Sequence, residues 1–255
     1  MKRLAIIDWG IGGISIYKLV NEELGVPVVY FSDTGATPYG KMTRPELVKR
    51  LNEVIAFLKT RGVTHLVIGC NAASTAIPYL DDQGFKIEGM IENAIDASVR
   101  YSPRRLAVIG GRRTVLSGVY RSGFATRGIK IRQRIAQPLS ALIESGDISS
   151  DKLRYEARKI LDPIKNCSHI LLACTHYPAI TPLLQDLVSD ATEFIDPATS
   201  LLKKIKQWNV SDEAIRKTGV WCCDQGSYKN FTLVTDSVLK QQTTTIHSHF
   251  RQVDW

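Results

Sequence analysis

The sequence predicts an α/β protein of two similar halves, each with a parallel-rich sheet, facing one another across a cleft. Three observations carry that expectation. Short apolar runs rich in Val, Ile and Leu recur, stretches with helical spacing separate them, and the pattern of the first half returns in the second. Strands buried on both faces read as continuous apolar runs, and their alternation with helices calls for parallel sheets covered by helices.

The runs occupy residues 4–7, 28–31, 66–68, 106–109 and 170–172. Between the second and third, residues 45–61 place Leu47, Leu51, Val54, Ile55 and Leu58 on one helical face. Gly25, Gly62 and Gly128 each stand between a predicted helix and the next strand, as helix stops should. RLAIIDWG (3–10) is echoed by RLAVIGGR (105–112), and THLVIGCNAAS (64–74) by SHILLACTHYP (168–178). GMIENA (89–94) has a fainter counterpart in FIDPAT (194–199). A repeat of this length fits two facing units better than one doubly wound sheet. The expected division is a first unit over 1–94 completed by 208–255, and a second over 95–207.

Composition narrows the class. The 255 residues are 44% apolar and 23% charged, which suits a globular chain. No stretch reaches the ~18 continuous apolar residues of a membrane span. MKRLAII opens like a signal peptide, but Asp8 ends the apolar run and no small-residue cleavage site follows, so a cytoplasmic protein is expected. Cys70, Cys167, Cys174, Cys222 and Cys223 make an odd count without CxxC spacing, which suits a reducing compartment. His247 and His249 read as a polar tail rather than a metal site. The net charge of +8 is scattered, which favours small anions over nucleic acid as partners.

The repeat also places a cysteine directly after an apolar strand in each half. Asn71 follows Cys70, while Thr175 and His176 follow Cys174. Ligands of open parallel sheets bind beyond the carboxyl ends of the strands, so facing halves would bring the two thiols to opposite walls of one cleft. A helix starting after each cysteine would lower its thiol pKa. Opposed thiols suit proton transfer at carbon, one removing a proton and the other returning one to the opposite face. No cofactor motif is needed for that chemistry.

The chain resembles the cofactor-independent glutamate racemases and the wider aspartate/glutamate/hydantoin racemase superfamily. The matching segments run in order: DWGIGG, FSDTGATPYG, IGCNAAS, GMIENA, VIGGRRTVLSGVY, ACTHYP and FIDPA. The resemblance implies two α/β domains with the site between them, racemisation of a small anionic amino acid, and usually a homodimer feeding D-glutamate into cell-wall synthesis. It makes Cys70 and Cys174 the two acid–base residues, with Asp8 assisting the first and His176 the second. It makes Pro38, Tyr39 and Gly40 the holders of the distal carboxylate. Asn71, Thr114 and Thr175 become donors to the α-carboxylate.

The sequence departs from that family at Trp9 and Ala72, where the family typically carries Ser and Thr. Each change removes a hydroxyl, and a lost hydrogen bond to a charged group costs roughly 1.5–3 kcal/mol. Trp9 could also narrow the pocket or lay its indole against the substrate. CCDQGS (222–227) is a third departure. These changes point to an altered substrate-binding shell around intact acid–base groups.

Three other readings compete. Gly10-Ile11-Gly12 followed by Asp33 suggests a dinucleotide fingerprint, but Ser15 stands where its third glycine belongs. A non-catalytic binding descendant would have Trp9 plugging the site. A decarboxylase or isomerase of the superfamily would run another carbanion reaction.

Overall fold

The computed structural model describes residues 2–26, 28–210, 218–224 and 227–233; for the last two segments it describes the backbone alone. The histidines at 247 and 249, the side chains of 222–227 and most of the predicted C-terminal return lie outside the described residues.

The first half runs β1 (Leu4–Asp8), α1 (Ile14–Leu24), β2 (Val28–Ser32), α2 (Arg44–Thr60), β3 (His65–Ile68), α3 (Asn71–Ser74) and β4 (Lys86–Gly89). Helix α4 (Met90–Arg100) leads to the second half. There β5 (Leu106–Gly110) is followed by α5 (Arg112–Leu116), α6 (Val119–Ala125), β6 (Ile131–Ile135), α7 (Gln137–Glu144) and α8 (Asp151–Leu161). Strand β7 (His169–Ala173), α9 (Thr181–Gln185) and β8 (Glu193–Ile195) complete it. Helix α10 (Ala198–Lys206) and strands β9 (Thr218–Asp224) and β10 (Ser227–Leu233) follow.

The sequence repeat is a repeat of topology. One sheet has the order β10-β9-β2-β1-β3-β4 and the other β6-β5-β7-β8. Without β9 and β10, both read second, first, third, fourth. Every pairing is parallel except β9 with β10. Strand β9 runs parallel beside β2, so chain beyond residue 207 joins the first sheet.

The apolar runs become strands because both sheet faces are covered. Every residue of β1 and β5 is buried. Leu4 and Ile6 pack toward α1 and α10, while Ala5 and Ile7 pack toward α2. In the second sheet, Leu106 and Val108 meet α4 and α6, and Ala107 and Ile109 meet α7 and α8. This is the period-two alternation of a strand with two dry faces.

Helix α2 shows how local chemistry sets an element. Thr43 caps it, accepting from Glu46 N–H, while the Glu46 carboxylate accepts from Thr43 N–H at 2.7 Å. The five predicted apolar residues of its buried face are all inaccessible to solvent. Gly25, Gly62 and Gly128 adopt φ of 61°, 73° and 72°, the left-handed turn that ends a helix.

Two helices tie the halves together. Helix α4 starts directly after β4 of the first sheet, yet Ala94 and Ile95 pack on the second. Helix α10 follows β8 of the second sheet, yet Leu201 and Ile205 pack on the first. The two crossover helices also pack against each other.

This architecture predicts unequal costs for two changes in α2. Leu51→Ala should lose about 2–5 kcal/mol, because it empties a closed core. Thr43→Ala should lose about 1 kcal/mol, because it removes only a cap. Urea denaturation of both variants checks the order, and a larger loss for Thr43→Ala would contradict it.

Candidate active site

The carboxyl ends of β1, β3 and β7 meet at a cavity of about 270 Å3 between the halves. The structure brings all twelve residues singled out from the sequence to its lining: Asp8, Trp9, Pro38, Tyr39, Gly40, Cys70, Asn71, Ala72, Thr114, Cys174, Thr175 and His176. Strand ends supply Asp8, Cys70 and Cys174. The turn after β2 supplies Pro38 to Gly40, and Thr114 comes from α5.

Asp8 is 1% exposed, and contacts from both halves satisfy it. Its Oδ1 accepts from Trp9 N–H at 2.7 Å, and its Oδ2 accepts from Thr175 Oγ1 at 2.8 Å. Burial pushes its carboxyl above the ordinary value, opposed by the positive charge of His176 and by hydrogen bonds from Thr175, Cys70 and Trp9.

The two thiols have different support. Burial pushes the Cys70 thiol well above its ordinary value and the Asp8 charge pushes it further, while Ala73 N–H works the other way. This corrects the expectation that a helix start lowers it. Helix α3 is only four residues long, and its donor is outweighed by an enclosed site with a carboxylate alongside. Cys174 precedes a 3-10 turn at Tyr177–Ile180, and its Sγ lies 3.5 Å from His176 Nδ1.

His176 is held at its other nitrogen by Glu144, with Nε2 2.5 Å from Oε2. Burial lowers the imidazole pKa, but the charges of Cys174 and Glu144 and their hydrogen bonds outweigh it and raise it well above the ordinary value. Glu144 also accepts from Ile11 N–H at 3.2 Å, which ties the second half to the turn after β1. Sequence reasoning missed Glu144. It lies 32 residues from His176 and 133 from Ile11, with no local motif to announce it. Lys41, Gln137 and Ser140 also line the cavity without a sequence signal.

Asn71 carries an open donor. Its Oδ1 accepts from Tyr120 Oη at 2.5 Å, which turns Nδ2 away, and Nδ2 is buried with no partner among the described residues. Buried polar atoms are rarely left so, and a ligand oxygen is the natural complement. Tyr39 gives its hydroxyl to Asp33 at 2.8 Å, and Asp33 is paired with Arg50 at 2.5 Å. Its ring therefore braces the 38–40 turn.

Trp9 is fixed by a bond from Nε1 to Ala36 O at 2.8 Å. The indole donor is committed to the backbone, so the cavity meets only its apolar ring. The glycine turn after Trp9 is filled from the other half. A Cβ on Gly12 would come within 2.5 Å of Thr175 Oγ1 and 2.9 Å of Asp8 Oδ2. The space a dinucleotide pyrophosphate needs against such a turn is occupied by the second half, which overturns the fingerprint reading.

Fold and site together define a class: a two-unit α/β enzyme with acid–base groups at the strand ends around one interdomain cavity. The family model for the Asp/Glu/Hydantoin racemases matches residues 11–205, and the chain belongs to this family. It is an isomerase, a racemase of that superfamily. A glutamate racemase of Synechococcus sp. (strain CC9605) is 33% identical over 79% of this chain and 78% of its own. One from Aquifex aeolicus is 30% identical over 81% and 83%. In fold, the chain is similar to a glutamate racemase of Campylobacter jejuni, with TM-score 0.78 and 22% identity over 95% and 97%. A Francisella tularensis glutamate racemase solved with D-glutamate gives TM-score 0.74 and 24% identity over 81% and 80%. Among the described residues no helix is long and apolar enough to cross a membrane.

The raised pKa of His176 rests first on Cys174 and then on Glu144. The imidazolium persists below that pKa and is lost as pH rises through it. Glu144→Gln removes a negative partner and should move the alkaline limb of the rate profile to lower pH. A limb that stays in place would remove Glu144 from this role.

Proposed function

We propose that the chain racemises an α-amino acid, glutamate or a close relative, by proton transfer at Cα between Cys70 and Cys174. One observation carries this reading. The two cysteines leave equivalent strands of the repeat, border the same cavity, and each has its own ionisable partner.

One thiolate removes the Cα proton. The C–H electron pair stays on carbon and spreads into the α-carboxylate. The other thiol then delivers its proton to the opposite face, which inverts the centre and exchanges the two sulfur protonation states. The carbanion is too basic to form without donors aimed at that carboxylate. Asn71 Nδ2 is available for it, with Thr114 and Thr175 alongside.

The raised Cys70 thiol fits a substrate-assisted cycle. With the cavity empty, Asp8 opposes a second negative charge at Cys70. A substrate ammonium beside Asp8 supplies the missing positive charge and makes the thiolate accessible. On the other wall, the His176 imidazolium faces Cys174 Sγ, where charge resides whenever that sulfur holds no proton.

Substrate choice rests on Trp9 and Ala72. The indole N–H is committed to Ala36 O and Ala72 offers a methyl, so this wall gives a distal carboxylate no side-chain hydroxyl. We infer that Trp9 shifts preference from glutamate toward a related amino acid whose side chain tolerates an apolar wall.

A panel of L- and D-amino acids incubated in D2O and analysed by mass spectrometry tests both parts. Cys70→Ser and Cys174→Ser should each abolish racemisation, and full activity in either would overturn the two-thiol assignment. Trp9→Ser should raise kcat/KM for glutamate about ten- to hundredfold, the worth of one hydrogen bond to a charged group. Wild-type protein that prefers glutamate over every other amino acid would overturn the role of Trp9.

A further inference from the structure

The charged side chains that line the cysteine cavity are Asp8, Lys41, Glu144 and His176. Glu144 is paired with His176 at 2.5 Å, and Asp8 faces the substrate ammonium in the racemase reading. Lys41 is the charge left over. Its ammonium makes no ion pair or hydrogen bond with another described residue.

The neighbouring groups are already committed. Glu46, the acid nearest along the chain, caps α2 and accepts from Thr43 N–H and Thr43 Oγ1, both at 2.7 Å. Asp33, which holds Tyr39 in the same turn, is taken by Arg50. Two other cations near this turn are also engaged. Arg44 lies over the Tyr79 ring at 4.7 Å, and Arg113 reaches Met42 O at 2.6 Å and Thr75 Oγ1 at 3.2 Å.

The backbone of Lys41 is fixed, since its N–H donates to Pro38 O at 2.7 Å and closes the turn that begins there. Gln137 of α7 stands against that turn from the other half. A Cβ on Gly40 would lie 3.5 Å from Gln137 Oε1. The amide is pinned at both ends, with Oε1 accepting from Arg112 N–H and Nε2 donating to Ser140 Oγ, each at 3.1 Å. The second hydrogen on Nε2 has no acceptor among the described residues.

An amino acid with an acidic side chain brings one ammonium and two carboxylates. Asp8 answers the ammonium and Asn71 Nδ2 the α-carboxylate, which leaves Lys41 for the distal one. An exposed ion pair in open water is worth little. Trp9, Pro38, Ala72 and Ala141 give this cavity apolar lining, where a charge is screened less. We propose that Lys41 sets the substrate class: it selects an α-amino acid whose apolar arm lies along Trp9 and ends in an anion, with Gln137 Nε2 as a second donor. This rests on the racemase reading. It gives a site without hydroxyls at positions 9 and 72 another way to choose an acid.

The experiment measures Cα deuterium exchange and calorimetric binding of glutamate and of glutamine, the acid and its uncharged amide, on wild type, Lys41→Met and Lys41→Glu. Wild type should favour glutamate. Lys41→Met should lower kcat/KM for glutamate about tenfold, through KM, and change that for glutamine by about twofold at most. Lys41→Glu should favour glutamine. A wild type that treats the two alike overturns the proposal, as does a Lys41→Met loss that is absent or equal for both, or an unchanged preference in Lys41→Glu. Binding separates this proposal from the reading beneath it. A chain that binds glutamate through Lys41 but exchanges neither compound keeps the role of Lys41 and removes the racemase reading; one that exchanges both with equal ease does the reverse.

Discussion

The hydrogen bond from Thr175 Oγ1 to Asp8 Oδ2, 2.8 Å long, is the contact on which the site depends. It joins Asp8 at the end of β1 in one half to the second residue after β7 in the other. A buried carboxylate without partners is costly, so closing the two halves and satisfying Asp8 are a single event. Glu144 makes the complementary tie, reaching from the second half to Ile11 N–H while holding His176. With both ties made, Cys70 and Cys174 border one cavity, and neither half alone contains it.

The same closure makes the two walls electrically unequal. The first presents a thiol beside a carboxylate in an enclosed site, a combination that favours the proton-bearing sulfur. The second presents a sulfur facing an imidazole whose charged form is favoured by Cys174 and, after it, Glu144.

Much of the fold was legible because strands with two dry faces read as unbroken apolar runs, as LAIID and LAVIG do. The repeat was legible because both halves use the same four-strand order, which puts similar residues under similar constraints. What stayed hidden depends on distance along the chain. Glu144 gains its role from partners in other elements, and the thiol of Cys70 is set by burial rather than by its local helix start. Trp9 was conspicuous in the sequence, but only the structure shows its N–H turned to Ala36 O. The exchange of α4 and α10 between the halves was equally invisible, since an amphipathic helix does not record which sheet its apolar face will meet.

Two opposed bases leave an isotopic signature that one base cannot. Starting from a single enantiomer of the preferred amino acid in D2O, early product should carry deuterium at Cα while recovered substrate retains its hydrogen. Deuterium entering recovered substrate as fast as product, or substrate hydrogen carried over into product, would place a single base at the site and contradict the account.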